Sequence, residues 1–470
     1  MQAYTLTIGG KSVPTAQTFD VLNPADGSLV AACPEASTRD VDAAVAAARG
    51  AFASWSALAD GERVAKLNAI ADLIERHHKE LAELVTREQG KTQSGPGANL
   101  EVGGAVAWTR VTAGLNLPEA TIQDDAAAKI VVRRKPVGVV GSITPWNWPL
   151  MIAIWHIVPA LRVGCTVVIK PSPFTPLSTL RLVSLMNEVL PAGVVNVVTG
   201  GVEIGNHLSR HSGIDKMVFT GSIATGKKIM GAAAEALRRV TLELGGNDAG
   251  IVLPGTHITP LLEKLFWGCF INAGQTCAAL KRLYVHEGQY DDVVKQFSDY
   301  VSKIPVGNGL DPNNLIGPVS NEGQRSKVAS MVDEARAQGA RIVTGGVKPT
   351  TPGYFYPLTV IADARDEMRV VKEEQFGPAI PILKYKTVEE AIERANSLSV
   401  GLGGSIWGDD VDVAADYAAR LECGTAWVNQ HGVLHPLAPF GGVKNSGIGV
   451  EFNVDGLKEY TTIQVLNVAK

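Results

Sequence analysis

Through the first hundred residues apolar side chains recur every three or four positions, and after about residue 130 they gather into short runs. In RDVDAAVAAARGAFASW (39–55), Val41, Ala44, Val45, Ala48 and Phe52 share one face. ADGERVAKLNAIADLIERHHKELAELVTREQG (59–90) repeats Val64, Leu67, Ile70, Leu73 and Ile74 at the same period, and both stretches predict helix. From 130 onward VGVVGSIT, TVVIKPS, VVNVVTGG, KMVFTGS and VTLELGG read as β runs, spaced by helical stretches such as LSTLRLVSLMNEVL and TGKKIMGAAAEALRR. That alternation predicts an α/β fold with a parallel, doubly wound sheet. A second alternating block follows in KRLYVHE, ARIVTGG, AIPILKY, LGGSIWG and GTAWVNQ, with QYDDVVKQFSDYVSKI as a helix between strands. The pattern places the joint between the two blocks near residue 246, and no internal repeat, low-complexity tract or long linker interrupts it.

Two pieces stand outside this scheme. TIQDDAAAKIVVRRKPV (121–137) reads as an alternating, charged strand pair, and EYTTIQVLNVAK (459–470) as a terminal strand. Exposed strands need a partner edge, so both are expected to serve an oligomer contact.

Composition narrows the class. At 470 residues the chain has the length of two or three domains. With 46% apolar and 19% charged residues it is a folded protein. A net charge of −4 predicts neither nucleic acid nor an anionic membrane as partner. No run of 18 apolar residues occurs, and MQAYTLTIGGKSV lacks the layout of a signal peptide. The five cysteines, Cys33, Cys165, Cys269, Cys277 and Cys423, are odd in number and scattered, as expected of free thiols in a reducing cytoplasm. No CxxC or HExxH occurs, so the expectation for metal is none. The adjacent pair His77-His78 reads as the solvated side of a helix, because neighbouring helical residues point about 100° apart.

Candidate chemistry lies in three short stretches. NAGQTCAALKR (272–282) sets Cys277 among small and polar residues just past a glycine, a setting for a thiol that is to be reached. PWNWP (145–149) holds Asn147 between two indoles and two prolines, where its amide can donate to an oxyanion or satisfy its own turn. LELGG (242–246) places Glu243 in an apolar strand, which raises a carboxylate pKa toward that of a general base; the plain alternative is a solvated strand end. GSIATGKK (221–228) fits GxxxxGK but has Lys228 where a P-loop has Ser or Thr, and no GxGxxG occurs. The turn after KMVFT can present backbone N–H groups to an anion or be an ordinary strand–helix turn. No histidine is placed as the partner of a catalytic thiol.

PWNWP, KPSPFTPL, FTGS, LELGG, GQTC, EEQFGP and PFGGVKNSG occur in the order and spacing of the aldehyde dehydrogenase superfamily, which the chain resembles over about residues 4 to 470. The resemblance implies an aldehyde-dehydrogenase-like α/β fold. Its parts would be a Rossmann-type NAD(P)-binding domain (1–120 and 138–245), an α/β catalytic domain (246–449) and a small β oligomerisation arm (121–137 and 450–470). It implies Cys277 as nucleophile, Glu243 as base for deacylation, Asn147 with the Cys277 N–H as oxyanion hole, and Glu451 in GVEF as a second glutamate of a proton relay. For the cofactor it implies Thr144, Pro145, Trp146, Lys170, Ser172, Pro173, Gly200, Gly221, Ser222, Thr225, Leu244, Glu374 and Phe376. For the aldehyde it implies Trp148, Met151, Trp155, Thr276, Ala278, Leu434 and Phe440, whose plain alternative is core packing.

Departures from the family pattern refine the expectation. Many NAD-preferring members have a Glu three positions after the lysine of KPSPFTPL; here it is Pro173, so NAD is expected and NADP is possible. CoA-acylating members lack a carboxylate at the position of Glu243, so hydrolysis to the acid is expected over CoA acylation of a semialdehyde. The pocket residues are apolar with no arginine among them, favouring a hydrophobic aliphatic or aromatic aldehyde. His431 and His435 fall in the same stretch, as substrate contacts or as loop surface. A homodimer or homotetramer is expected. The rival outside enzymes is a structural or binding protein that kept the fold and lost activity.

Overall fold

The computed structural model describes residues 4–470; residues 1–3, which the sequence analysis assigns to the cofactor-binding domain, lie outside the described residues. Each of the first five β runs is a strand: Val139–Ile143, Thr166–Lys170, Val195–Val197, Lys216–Gly221 and Arg239–Leu244. They pair in parallel, with Val195–Val197 and Thr166–Lys170 on one side of Val139–Ile143 and Lys216–Gly221 and Arg239–Leu244 on the other. Successive residues of a strand face opposite ways. Val140, Val167, Ile169 and Val218 therefore join one core, and Val139, Val168, Met217 and Phe219 join another. Both faces are covered by helices, as an all-parallel sheet requires. The hairpin Leu6–Ile8/Lys11–Val13 closes one edge. The other is closed by Gly447–Ile448, which returns from the far end of the chain to pair antiparallel with Leu242 and Glu243.

The second sheet begins at Asp248–Val252, four residues after Leu244 and at the joint that the pattern placed near 246. Its order is Arg341–Thr344, Thr359–Ala362, Ala379–Tyr385, Leu280–His286, Asp248–Val252, Gly403–Trp407, Thr425–Val428. Asp248–Val252, interrupted by Gly250, and the four-residue Thr359–Ala362 are strands that the hydrophobic pattern did not single out.

The N-terminal helix Thr38–Ala57 buries Val41, Ala44, Val45 and Ala48, and a Ser37–Asp40 capping box starts it. The stretch 59–90 is two helices and not one, Asp60–Arg76 and His78–Gln89, broken at His77 (φ −97°, ψ 16°). His77 pairs with Glu80 at 2.7 Å and His78 meets Asn99 at 3.2 Å, so the two rings point to different partners.

Ala120–Asp124 and Ala128–Pro136 form the anticipated strand pair, and Thr461–Ala469 pairs along the whole of Ala128–Pro136. The terminal strand thus finds its partner edge within its own chain. It still presents Ile463, Val465, Leu466 and Val468 outward, and Ile122 is exposed on the opposite strand. No helix among the described residues is long and apolar enough to cross a membrane.

Candidate active site

The strand order of the first sheet reverses at Val139–Ile143, and in open α/β sheets ligands bind beyond the carboxyl ends of the strands at such a point. Every residue assigned to the cofactor from the first half of the chain lies on that edge. Thr144, Pro145 and Trp146 follow Val139–Ile143; Lys170 ends Thr166–Lys170, with Ser172 and Pro173 just past it. Gly200 follows Val195–Val197, Gly221 and Leu244 end their strands, and Ser222 caps the helix Ile223–Glu235. The Ser222 hydroxyl accepts the Thr225 N–H at 3.3 Å, while the first-turn N–H groups of Ile223 and Ala224 have no helical acceptor and suit an anion. Lys170 is buried with Nζ donating to the Pro171 carbonyl at 2.8 Å, and burial lowers its pKa to about 8.

Cys277 is held by its loop. Asn272 (φ 51°), Ala273 (φ 55°) and Gly274 (φ 72°) are three successive left-handed residues, and a Cβ on Gly274 would stand 2.3 Å from the Gly377 carbonyl. Only glycine fits there. Gln275 is fully buried, donating to Asn272 O at 2.9 Å and accepting the Ser320 N–H at 2.8 Å. Lys281 Nζ donates to the carbonyls of Thr276 (2.9 Å) and Cys277. The thiol between these fastenings is half-buried. Asn147 Nδ2 donates to Gln275 O at 3.0 Å, and Trp148 Nε1 to Thr276 Oγ1 at 3.0 Å. One Asn147 N–H is thereby fixed on the Cys277 loop, and a second remains to donate.

Glu243 lies at the end of Arg239–Leu244, 4% exposed, with Oε1 unpaired. Burial pushes its pKa well above the usual carboxylate range; the charge of Glu451 adds to this, and a hydrogen bond with the Cys277 thiol opposes it. The Cys277 thiol is likewise pushed up, by burial first and then by Glu243, against Lys281 and the Ala278 N–H. Burial thus works against the charged form of each. Glu451 is buried with both oxygens lacking a hydrogen-bond partner, its Oε1 3.3 Å from His156 Nε2, and His156 also meets Thr220 (3.0 Å) and Ser142 (2.8 Å). Glu374 accepts the Gly246 N–H at 3.3 Å and pairs with Lys281 at 3.1 Å. Burial raises its pKa and Lys281 opposes the rise. Phe376 stands edge-on to Trp146 at 5.3 Å.

The aldehyde candidates Trp148, Trp155, Ala278, Phe440, Met151 and Leu434 fall in one apolar cluster with Cys277. Trp108, Trp427 and Phe452, which sequence reasoning did not name, belong to it as well. Phe452 lies 4.8 Å from Trp155, 5.5 Å from Trp108 and 5.9 Å from Phe440. His435 is on the surface, but His431 is not: its Nδ1 meets Ser405 Oγ at 2.9 Å, its Nε2 is 3.4 Å from Asp248, and burial lowers its pKa. Sequence reasoning also missed Lys91, Glu101 and Lys281. Gln275 lay inside the GQTC motif, and its full burial as a polar residue is the property that marks it.

One further cluster joins Asp42, His207 and His211. The Gly213 N–H donates to His211 Nδ1 at 2.9 Å, so the neutral ring carries its proton on Nε2, toward Asp42 at 3.3 Å; His207 Nε2 meets the same oxygen at 2.6 Å. Two imidazoles thus share one carboxylate oxygen.

A sheet edge shaped for a dinucleotide, a fastened thiol, a buried carboxylate and an amide donor define a family of cysteine-bearing α/β oxidoreductases. A profile of the aldehyde dehydrogenase family matches residues 12–466, and the chain belongs to that family. It is 39% identical to aldehyde dehydrogenase 1A1 of Bos taurus over 96% of this chain and 91% of that one. The structure of an aldehyde dehydrogenase from Bacillus cereus in complex with NAD+ superposes with a TM-score of 0.97 at 37% identity, covering 100% of this chain and 97% of that one. Betaine aldehyde dehydrogenase from Staphylococcus aureus in complex with NAD+ gives 0.96 at 36% identity, with 99% and 95% covered.

Proposed function

We propose that the protein oxidises a hydrophobic aliphatic or aromatic aldehyde to the carboxylic acid with NAD, through covalent attachment of substrate to Cys277. The observation that carries this reading is the Asn147 amide pinned to the loop that bears Cys277, with the buried Glu243 close enough for its charge to act on the thiol. NAD fits this edge: the free N–H groups at Ser222–Ala224 suit its pyrophosphate, Lys170 its adenosine ribose, and Glu374 with Phe376 its nicotinamide ribose. Glu374 packs closely on this edge, since a Cβ on Gly245 would stand 2.4 Å from its Oε2. Bound there, NAD supplies the hydride acceptor. With Pro173 in place of a carboxylate, NADP is also acceptable.

The residues divide the work. A thiol with a raised pKa gives up its proton as it attacks, and Glu243, the carboxylate whose charge acts on that thiol, is placed to receive it. The sulfur–carbon bond forms while the carbonyl π pair moves to oxygen, where Asn147 and the Cys277 N–H donate. Loss of hydride from that carbon leaves a thioester on Cys277. Glu243 passes that proton on before deacylation; ionised again, it takes a proton from water as the water oxygen adds to the acyl carbon, and the carbon–sulfur bond breaks with a proton returned to the Cys277 sulfur. Glu451 and His156 extend the buried path along which that proton can pass.

The same reading assigns 1–120 and 138–245 to the cofactor, 246–449 to catalysis and 121–137 with 450–470 to an oligomerisation arm. The arm's exposed apolar strand supports a homodimer or homotetramer. Five free cysteines suit a cytoplasmic setting.

The test is reduced-nicotinamide absorbance over aliphatic, aromatic and acidic aldehydes, each with NAD and with NADP. Signal without CoA that disappears in Cys277→Ala supports hydrolytic oxidation. Signal only with CoA overturns it in favour of acylation, and silence in both arms favours a binding role.

A further inference from the structure

A buried ion pair lies directly beneath the oxyanion donor. Lys91 comes from the loop after helix His78–Gln89 and Glu101 from helix Ala98–Gly114, and their side chains are 1% and 0% exposed at a separation of 2.5 Å. The hydrogen bonds that leave this pair all end on residues 147–151. Lys91 Nζ donates to the Asn147 carbonyl at 2.8 Å and sits 3.5 Å from the centre of the Trp148 ring. Glu101 Oε1 accepts the N–H groups of Leu150 (2.9 Å) and Met151 (3.1 Å), the first turn of helix Pro149–Val163.

Burying such a pair costs several kcal/mol per ion, and well-packed apolar residues often stabilise a fold as well or better. Its contacts point to a different use. Asn147 is held at three corners: its carbonyl by Lys91 and by Asn272 Nδ2 (2.9 Å), and its amide by Gln275 O (3.0 Å). The carboxylate at a helix N-terminus fixes where the helix bearing Met151 and Trp155 begins. All three donors of the ammonium are directed, at Glu101, the Asn147 carbonyl and the indole face, so the peptide has no alternative seat.

We propose that Lys91 and Glu101 are positioning residues, which set the Asn147 amide against the nucleophile. The proposal rests on the oxyanion role given to Asn147 above. An amide displaced by about 1 Å loses about 100-fold in rate, with ground-state binding little affected.

The experiment is a mutant cycle on the full-length protein. The double variant Lys91→Met/Glu101→Gln removes both charges and leaves neither unpaired. It is expected to lower kcat by about 10- to 100-fold. KM for aldehyde and Kd for NAD are expected to stay within about threefold, since neither depends on a correctly aimed amide. Placed on Asn147→Ala, the same double change is expected to lower kcat by less than about threefold, because residues acting through one another are non-additive. If the double variant does not fold, Glu101→Gln alone, which keeps an oxygen for Leu150 and Met151, runs the same cycle. Equal losses in the two backgrounds, beside a severe Asn147→Ala, overturn the positioning role and leave the oxyanion reading standing. An Asn147→Ala enzyme with unchanged kcat overturns both.

Discussion

Lys281 Nζ stands 3.1 Å from Glu374 Oε1 while it holds the carbonyls of Thr276 and Cys277, so one ammonium joins the nucleophile loop to the carboxylate assigned to the nicotinamide ribose. Lys281→Met is expected to loosen both ends together. KM for NAD should rise by at least about tenfold, and kcat should fall with it. Steady-state kinetics at varied NAD check this; a change in kcat alone would show that Glu374 keeps its place without the lysine.

Asn147→Ala should lower kcat by about 100- to 1,000-fold, equivalent to about 2.7–4 kcal/mol of transition-state stabilisation. Ester hydrolysis by Cys277, which needs the oxyanion site and no cofactor, should fall by a similar factor. Comparing the two reactions isolates acyl transfer from hydride transfer.

Turnover should fall in acid. Glu243 serves as base only when ionised, and its pKa lies well above the usual carboxylate range, so deacylation declines as pH falls through that raised value. The expected profile of kcat rises with pH, with a midpoint well above about 4.3. Glu243→Gln should abolish that limb and cut steady turnover by about 100- to 10,000-fold, while a single burst of reduced cofactor, slowed by loss of the thiol's proton acceptor, is still seen. Stopped-flow absorbance across pH separates the burst from the steady rate.

Gly274→Ala should destabilise the fold by about 1–3 kcal/mol, since it places a side chain in a left-handed residue. The new side chain would meet backbone, with the Gly377 carbonyl oxygen 2.3 Å from its Cβ. Denaturant unfolding measures the loss, and the alkylation rate of Cys277 reports whether the loop moves with it.

The arm is tested by charge. Tyr460 is buried in the first core and Glu459 approaches Lys216, so deleting 459–470 would damage more than an edge. Ile463→Asp with Val465→Asp alters only exposed positions and should lower the mass found by light scattering. An unchanged mass would remove the strand from the interface.

The two blocks and their joint were legible because parallel strands buried on both faces are nearly continuous apolar runs. Cys277, Asn147 and Glu243 were legible because each sits in unusual local company. The break at His77 has no glycine or proline to announce it. Lys91 and Glu101 were invisible for a different reason. Lysine and glutamate are the ordinary residues of helix surfaces, and what makes these two unusual is a carbonyl 56 positions away. His431 is similar, since its inward turn is decided by Ser405 and Asp248 on another sheet.

The strand that carries Glu243 is bordered by Gly447–Ile448, some two hundred residues later in the chain. During synthesis the base can have its own sheet and its own helix and still lie at an open edge. Only after residues 447–451 have left the ribosome can that edge be covered and Glu451 come near it. The nucleophile is made long before its neighbourhood is finished, and a chain cut short before this point has a cysteine but no chamber.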